Sequence, residues 1–244
     1  CYYLNHNIYL LDETILNEGL CRWILEELGL RKLYDKLYRM LDEKVPAGTF
    51  ILPIFKEIHY LTMEEFRELN VRVQKLEQEP PLLRQKIKGD YLMENGKYVN
   101  AVRVYQKTLA ELENGKMGAQ FAGTIWYNMG CAYSRLFQMD EAVSCFEKAL
   151  KLQPGEKTRK TYLTAVCRGQ EEEVWKQMAE KAGADEEEAK EAFRESKEAV
   201  ETETSLDLCG SLDRICQTPG AFLLPEGEQV LAELAAEYHK NTGY

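Results

Sequence analysis

Apolar residues recur at intervals of three and four along most of the chain, the period of a helix that buries one face. Gly, Pro and short polar clusters interrupt them. In the opening stretch, CYYLNHNIYLL fits strand or helix, and Asp12 is the expected N-cap of a segment with Ile15, Leu16, Leu20, Trp23, Ile24 and Leu28 at helical spacing. Gly29 ends that segment. LRKLYDKLYRML places Leu30, Leu33, Leu37 and Leu41 on one face, and VPAG is the predicted break after it. TFILPIFKEIHYL requires Pro53 to occupy a first turn or a kink. Thr62 and Glu65 have the T-x-x-E spacing of a capping box, and Pro80 with Pro81 stops the helix they open.

From Leu82 onward the spacing predicts antiparallel helix pairs: LLRQKIKGDYLMENG, KYVNAVRVYQKTLAELENG, AGTIWYNMGCAYSRL, MDEAVSCFEKALKLQP and GEKTRKTYLTAVCRG. Short Gly or polar connections make consecutive helices packing neighbours. GADEEEAKEAFRESKEAVE then carries a D-x-x-E cap at Asp185 and Glu188, and Glu186/Lys190 and Arg194/Glu198 pairs four apart. ETETSLDLCGSLDRICQTPG reads as a loosely packed linker, and Pro225 opens a terminal helix. Three regions are therefore expected: helical 1–80, paired helices over 81–170, and an acidic helical 171–244 with a linker and a last helix.

The paired region repeats itself. GKYVNAVRVYQKTL aligned on FQMDEAVSCFEKAL matches Ala101 with Ala142, Val102 with Val143, Tyr105 with Phe146, Lys107 with Lys148 and Leu109 with Leu150, a spacing of 41 residues. The preceding helices align through Gly89 and Gly130. In the second copy, Trp126, Met129, Gly130, Tyr133, Ala142, Phe146, Ala149 and Pro154 fall on the pattern W-x2-L-G-x2-Y, A-x3-F, A, P. On those residues the chain resembles the tetratricopeptide repeat (TPR) family, over about 82–170. The resemblance is strong over about 123–156, weaker over about 82–115, and degenerate from about 157 onward. It implies an all-α superhelix of antiparallel helix pairs, capped at both ends by further helices.

Side-chain volume accounts for the pattern. Gly130 and Ala142 are expected where two helices approach most closely, with Trp126, Tyr133 and Phe146 filling the wider gaps. Ala149 leaves room for the next helix and Pro154 ends the unit. Replacing Trp126 by Ala is expected to cost roughly 3–5 kcal/mol, and Gly130→Leu a comparable or larger amount. The first unit is a poorer copy, with Gln85 and Lys88 at the Trp and Leu columns and Thr108 at the second Ala column. The third retains Leu163 but lacks the Gly and Tyr.

The resemblance implies a non-catalytic adaptor or scaffold that binds a peptide or helix on the concave face of the stack. By column, that face comprises Lys86, Asp90 and Met93 from the first unit, and Thr124, Tyr127, Asn128, Cys131, Ser134 and Arg135 from the second. Tyr127 and Cys131 fit packing against an adjoining helix equally well. A clamp for a terminal carboxylate is only half present, since Lys86 and Asn128 fit but Asp90, Thr158 and Tyr162 do not. Lys157, Arg159 and Lys160 lie near enough to supply charge in another geometry, but a solvated helix start is the expected reading of them.

Composition narrows the alternatives. Hydrophobic residues are 45% and charged residues 30% of the 244, the balance of a folded chain. A net charge of −10 disfavours nucleic acid as a partner. Residues 171–203 hold 13 acidic residues against 5 basic ones, so −8 of that charge is concentrated there, where a solvated face is expected in preference to a dock for a basic partner. No apolar run is long enough for a membrane span, and no basic segment precedes an apolar one at the start, so a bacterial-type cytoplasm is the expected setting. Tyr2 and Tyr3 argue against lipidation at Cys1, and the absent initiator Met points to a trimmed chain. Seven cysteines without a C-x-x-C spacing read as reduced thiols, and His6, His59 and His239 lie too far apart to suggest a metal site. No cofactor is expected. A small-ligand or signalling-peptide sensor on the same scaffold is the second reading. An enzyme with a spatially assembled carboxylate pair is the third, since G-x-S-x-G, phosphate-loop and H-E-x-x-H motifs are absent.

Overall fold

The computed structural model describes residues 1–112, 118–167, 172–200, 203–217, 220 and 225–242, and every regular element among them is helical. The chain divides into two compact units, Cys1–Tyr91 and Leu92–Tyr244.

In the first unit the ambiguous opening is helical: α1 (Tyr2–His6) is followed by a 3-10 turn at Ile8–Leu10. Asp12 does act as a cap, but for a second 3-10 turn, Glu13–Ile15; the α-helix that follows, α2 (Glu18–Glu26), is capped by Asn17, whose side chain accepts from the Leu20 N–H at 2.8 Å. The expected apolar stripe shifts accordingly. Cys21 and Ile24 are buried, while Trp23 is 51% exposed. α3 (Arg31–Asp42) buries Leu33 and Leu37 as its spacing predicts. The break after it lies two residues earlier than VPAG, at 43–46, because Ala47 and Gly48 already belong to α4 (Ala47–Ile58). Gly48 suits that start: a Cβ there would collide with Val73 Cγ1 and crowd the Glu77 carboxylate.

Pro53 lies in the interior of α4, where it deletes the helical bond to the Thr49 carbonyl. The first turn of α4 is held from outside, since the N–H and hydroxyl of Thr49 donate to the Glu77 carboxylate at 2.8 and 2.9 Å. Glu77 belongs to α5 (Met63–Gln78), which opens with the predicted Thr62/Glu65 capping box. A core of Ile8, Cys21, Ile24, Leu33, Leu37, Phe50, Ile51, Phe55, Leu69 and Val73 holds these elements together. Residues 81–91 of α6 (Pro81–Glu94) join this unit: Lys88 pairs with Asp12 at 2.7 Å, and the Tyr91 hydroxyl donates to the His6 carbonyl at 3.0 Å.

The second unit contains α7 (Tyr98–Leu112), α8 (Ala119–Arg135), α9 (Met139–Leu152), α10 (Glu156–Val166), α11 (Glu172–Lys181), α12 (Glu186–Val200), α13 (Glu203–Gln217) and α14 (Pro225–Thr242). Each of α7 to α10 packs on the next, α10 also packs on α11 and α12, and α14 lies on α7. The segment read as a linker is therefore largely the helix α13, and Pro225 opens α14 as expected. Thr108 is tolerated at a buried Ala column because its hydroxyl donates to the Val104 carbonyl of its own helix at 2.7 Å.

Candidate functional site

The close contact between α8 and α9 arises from residues without side chains. A Cβ on Gly130 would stand 2.7 Å from Phe146 Cε1, and one on Gly123 would stand 2.8 Å from Gln153 Cβ. These glycines lie seven residues apart, two turns along one face of α8, so the helices touch at both levels. Gly123 was not singled out by the repeat pattern. Phe146 and Ala142 are buried with Ala165 of α10, and Tyr127, Cys131 and Tyr133 pack around them. Trp126 departs from its expected role as a gap filler. It is only partly buried, and the Lys148 ammonium sits 4.2 Å from its ring centroid.

The opposite edge of α8 faces α10. Tyr127 meets the Phe146 ring edge-on at 5.7 Å, shares a 3.2 Å hydrogen bond with the Thr161 hydroxyl, and has the Lys157 ammonium 5.5 Å from its ring centroid. Thr161 stands 34 residues after Tyr127, one repeat length, a register that could have identified it from the sequence. Cys131 lies one turn further along. Burial pushes its thiol pKa up, while the charges of Lys157 and Arg135 and a hydrogen bond with Tyr127 pull the other way; the net direction is upward, so the thiol stays protonated near neutral pH. The hydroxyls of Thr124 and Ser134 fold back on the carbonyls of Gln120 and Gly130 at 3.0 Å each, and Thr124 also donates to Gln153 Oε1 at 3.2 Å. Asn128 is half-buried and Arg135 is exposed.

The candidates on α6 stand differently. Lys86 and Asp90 form an ion pair four residues apart on their own helix, so each cancels the charge the other would offer a ligand. Met93 is half-buried near the end of α6.

Of the basic residues at the start of α10, two are engaged within the chain. Arg159 grips Glu188 of α12 through Nε and Nη2 at 2.9 and 2.7 Å, and Lys160 lies 2.9 Å from Glu195 and 3.7 Å from Glu191. Three acids of the stretch, Glu188, Glu191 and Glu195, thus find their basic partners in α10, and Glu186 and Glu198 form the expected pairs with Lys190 and Arg194 on the helix surface. Among the described residues Lys157 and Arg135 form no ion pair. The face of α8 and α10 therefore presents two unneutralised cations beside an aromatic ring, a hydroxyl and a thiol. No group of three or more His, Cys, Asp or Glu side chains among the described residues could hold a metal ion, and no helix of the described residues is long and apolar enough to cross a membrane.

Helices that pack in sequence order, with small residues at the contacts and a repeated register, define an all-α helical-repeat protein. The repeat is of the tetratricopeptide type: residues 124–156 match the tetratricopeptide repeat family model, so the chain carries a TPR-type repeat there. Neither the curated proteins nor the solved structures contain a match to the chain.

Proposed function

We propose that the protein is a non-catalytic adaptor that holds an acidic peptide or helix against the face of α8 and α10, in a cytoplasmic setting. The repeat type supports protein–protein recognition in general. The observation that carries the acidic preference is the pair Lys157 and Arg135, unneutralised in a chain of net charge −10 whose neighbouring cations Arg159 and Lys160 are already engaged. Both cations act electrostatically on the Cys131 thiol, so an acidic group near it is attracted by each, while Tyr127 and Cys131 offer a partly apolar floor. Thr124, Asn128 and Ser134 complete the α8 side of this face. Lys86 and Asp90 contribute little net charge because they pair with each other.

Fluorescence anisotropy with labelled 12-residue peptides tests this reading. A Glu-rich peptide is expected to bind the wild type and to lose at least tenfold in affinity with the Lys157→Glu/Arg135→Glu double variant, whereas a Lys-rich peptide of matched length is not expected to bind the wild type. Equal binding of the Glu-rich peptide by wild type and variant would end the proposal.

A further inference from the structure

The turn between α8 and α9 holds a residue that its backbone disfavours. Phe137 has φ +58°, in the left-handed region, and its side chain is 73% exposed. The hydrogen bonds around it define a helix-terminating motif: the Phe137 N–H donates to the Ser134 carbonyl at 3.2 Å and the Gln138 N–H to the Tyr133 carbonyl at 3.0 Å. The same two bonds occur 41 residues earlier, from Gly96 to Met93 at 3.1 Å and from Lys97 to Leu92 at 2.8 Å, and there the left-handed position is Gly96 at φ +69°. Gly183, at φ +72°, ends α11 through the same pair of bonds. Lys44, exposed at φ +53°, ends α3 through the same pair of bonds, to Leu41 at 3.1 Å and from Val45 to Met40 at 3.2 Å, so the turn admits a side chain at a cost, while the equivalent position of the neighbouring repeat holds Gly.

Phe137 has neither the backbone freedom of Gly nor the compensation of burial. An aromatic ring on a strained turn, open to solvent, points to a role outside folding. Arg135, two residues earlier, is exposed and lacks an ion pair among the described residues. An aromatic two residues from an arginine combines two residue types enriched at protein interfaces. The pair is continuous in sequence with the α8 residues that face α10.

We infer that Phe137 is the apolar half of the recognition site, selecting a partner peptide in which an aliphatic or aromatic residue adjoins the acidic group held near Arg135. This inference rests on the acidic-peptide reading above and adds the chemistry of the neighbouring residue. Three matched peptides provide the test: alternating Glu/Leu, alternating Glu/Ser and alternating Lys/Leu. Wild type is expected to bind Glu/Leu at least tenfold tighter than Glu/Ser. Phe137→Gly is expected to bind both Glu peptides with the weaker affinity, while melting at or above the wild-type temperature because Gly suits the turn. A Glu/Leu preference retained in Phe137→Gly, or no such preference in wild type, overturns the role of Phe137 and leaves the acidic reading standing. If neither Glu peptide binds, or Lys/Leu binds as tightly as Glu/Leu, both inferences fall together.

Discussion

At the scale of single residues, Gly130 and Trp126 show how one pattern position can be read correctly and its neighbour misjudged. Gly130 matters because of what it lacks, since any Cβ would collide with the Phe146 ring. Gly130→Ala should destabilise the second unit by about 1–3 kcal/mol and Gly130→Leu by more, because the ring is buried and has little room to retreat. Trp126 was expected to cost as much on truncation, but it is partly exposed and covered by a lysine instead of by packed apolar groups. Trp126→Ala should therefore cost less than full core burial implies, about 1–2 kcal/mol. Chemical melting curves of the three variants check the order: a Trp126→Ala loss larger than that of Gly130→Ala would refute this account of the contact. The columns of a repeat record residue size reliably. They do not record how much of a large side chain its neighbours will cover, because that depends on helices far away in sequence.

At the scale of elements, the docking of α12 on α10 combines small residues with an ion-pair latch. Ala189 and Ala192 bury against Leu163, Cys167 and Trp175, so the helices approach closely enough for Arg159 to take Glu188 with two hydrogen bonds. The hydrogen bond from Arg159 holds the Glu188 carboxyl below the usual range, outweighing the opposing effect of burial. A depressed carboxyl contributes stability that is present above its unfolded-state pKa and is lost as pH falls through the folded-state value. Acidification below the ordinary glutamate range should therefore loosen α12. Glu188→Gln should reproduce that effect at neutral pH, with a cost of about 1 kcal/mol after allowance for solvent screening. Hydrogen exchange reads this directly. Faster exchange in α12 with α8 and α9 unchanged is the expected result, and uniform exchange across the unit would dispose of the latch. The sequence showed the acids and the bases separately, and their pairing needed the placement of α12 beside α10.

At the scale of the whole molecule, two units with separate cores should respond differently to pH. The first ties Asp12 to Lys88, and although burial alone would raise the Asp12 carboxyl, hydrogen bonds from Lys88 and Thr14 and the lysine charge bring it from 3.8 down to about 2. Its contribution is complete above the unfolded value and declines as pH falls from about 4 toward 2. Asp12→Asn should remove that acid sensitivity from residues 1–91 and leave the exchange behaviour of α8 and α9 as in wild type. An identical acid transition in the variant would show that another group controls it.

The sequence alone determined that the chain is helical, where most helices begin and end, and that one stretch repeats in the TPR manner, because caps, turn residues and the spacing of small and large side chains act over a few residues. It also identified the caps at Thr62 and Asp185 and the solvent-facing pairs four apart, which are local geometry. Tertiary structure decided what depends on distant neighbours: that Asn17 and not Asp12 caps α2, that the supposed linker is α13, and that Arg159 and Lys160 are occupied while Lys157 and Arg135 stay unneutralised. Charge is written in the sequence, but whether a charge is available to a partner is fixed only when the fold sets the distances, since Coulomb attraction and hydrogen bonding act across a few ångströms of space and not along the chain.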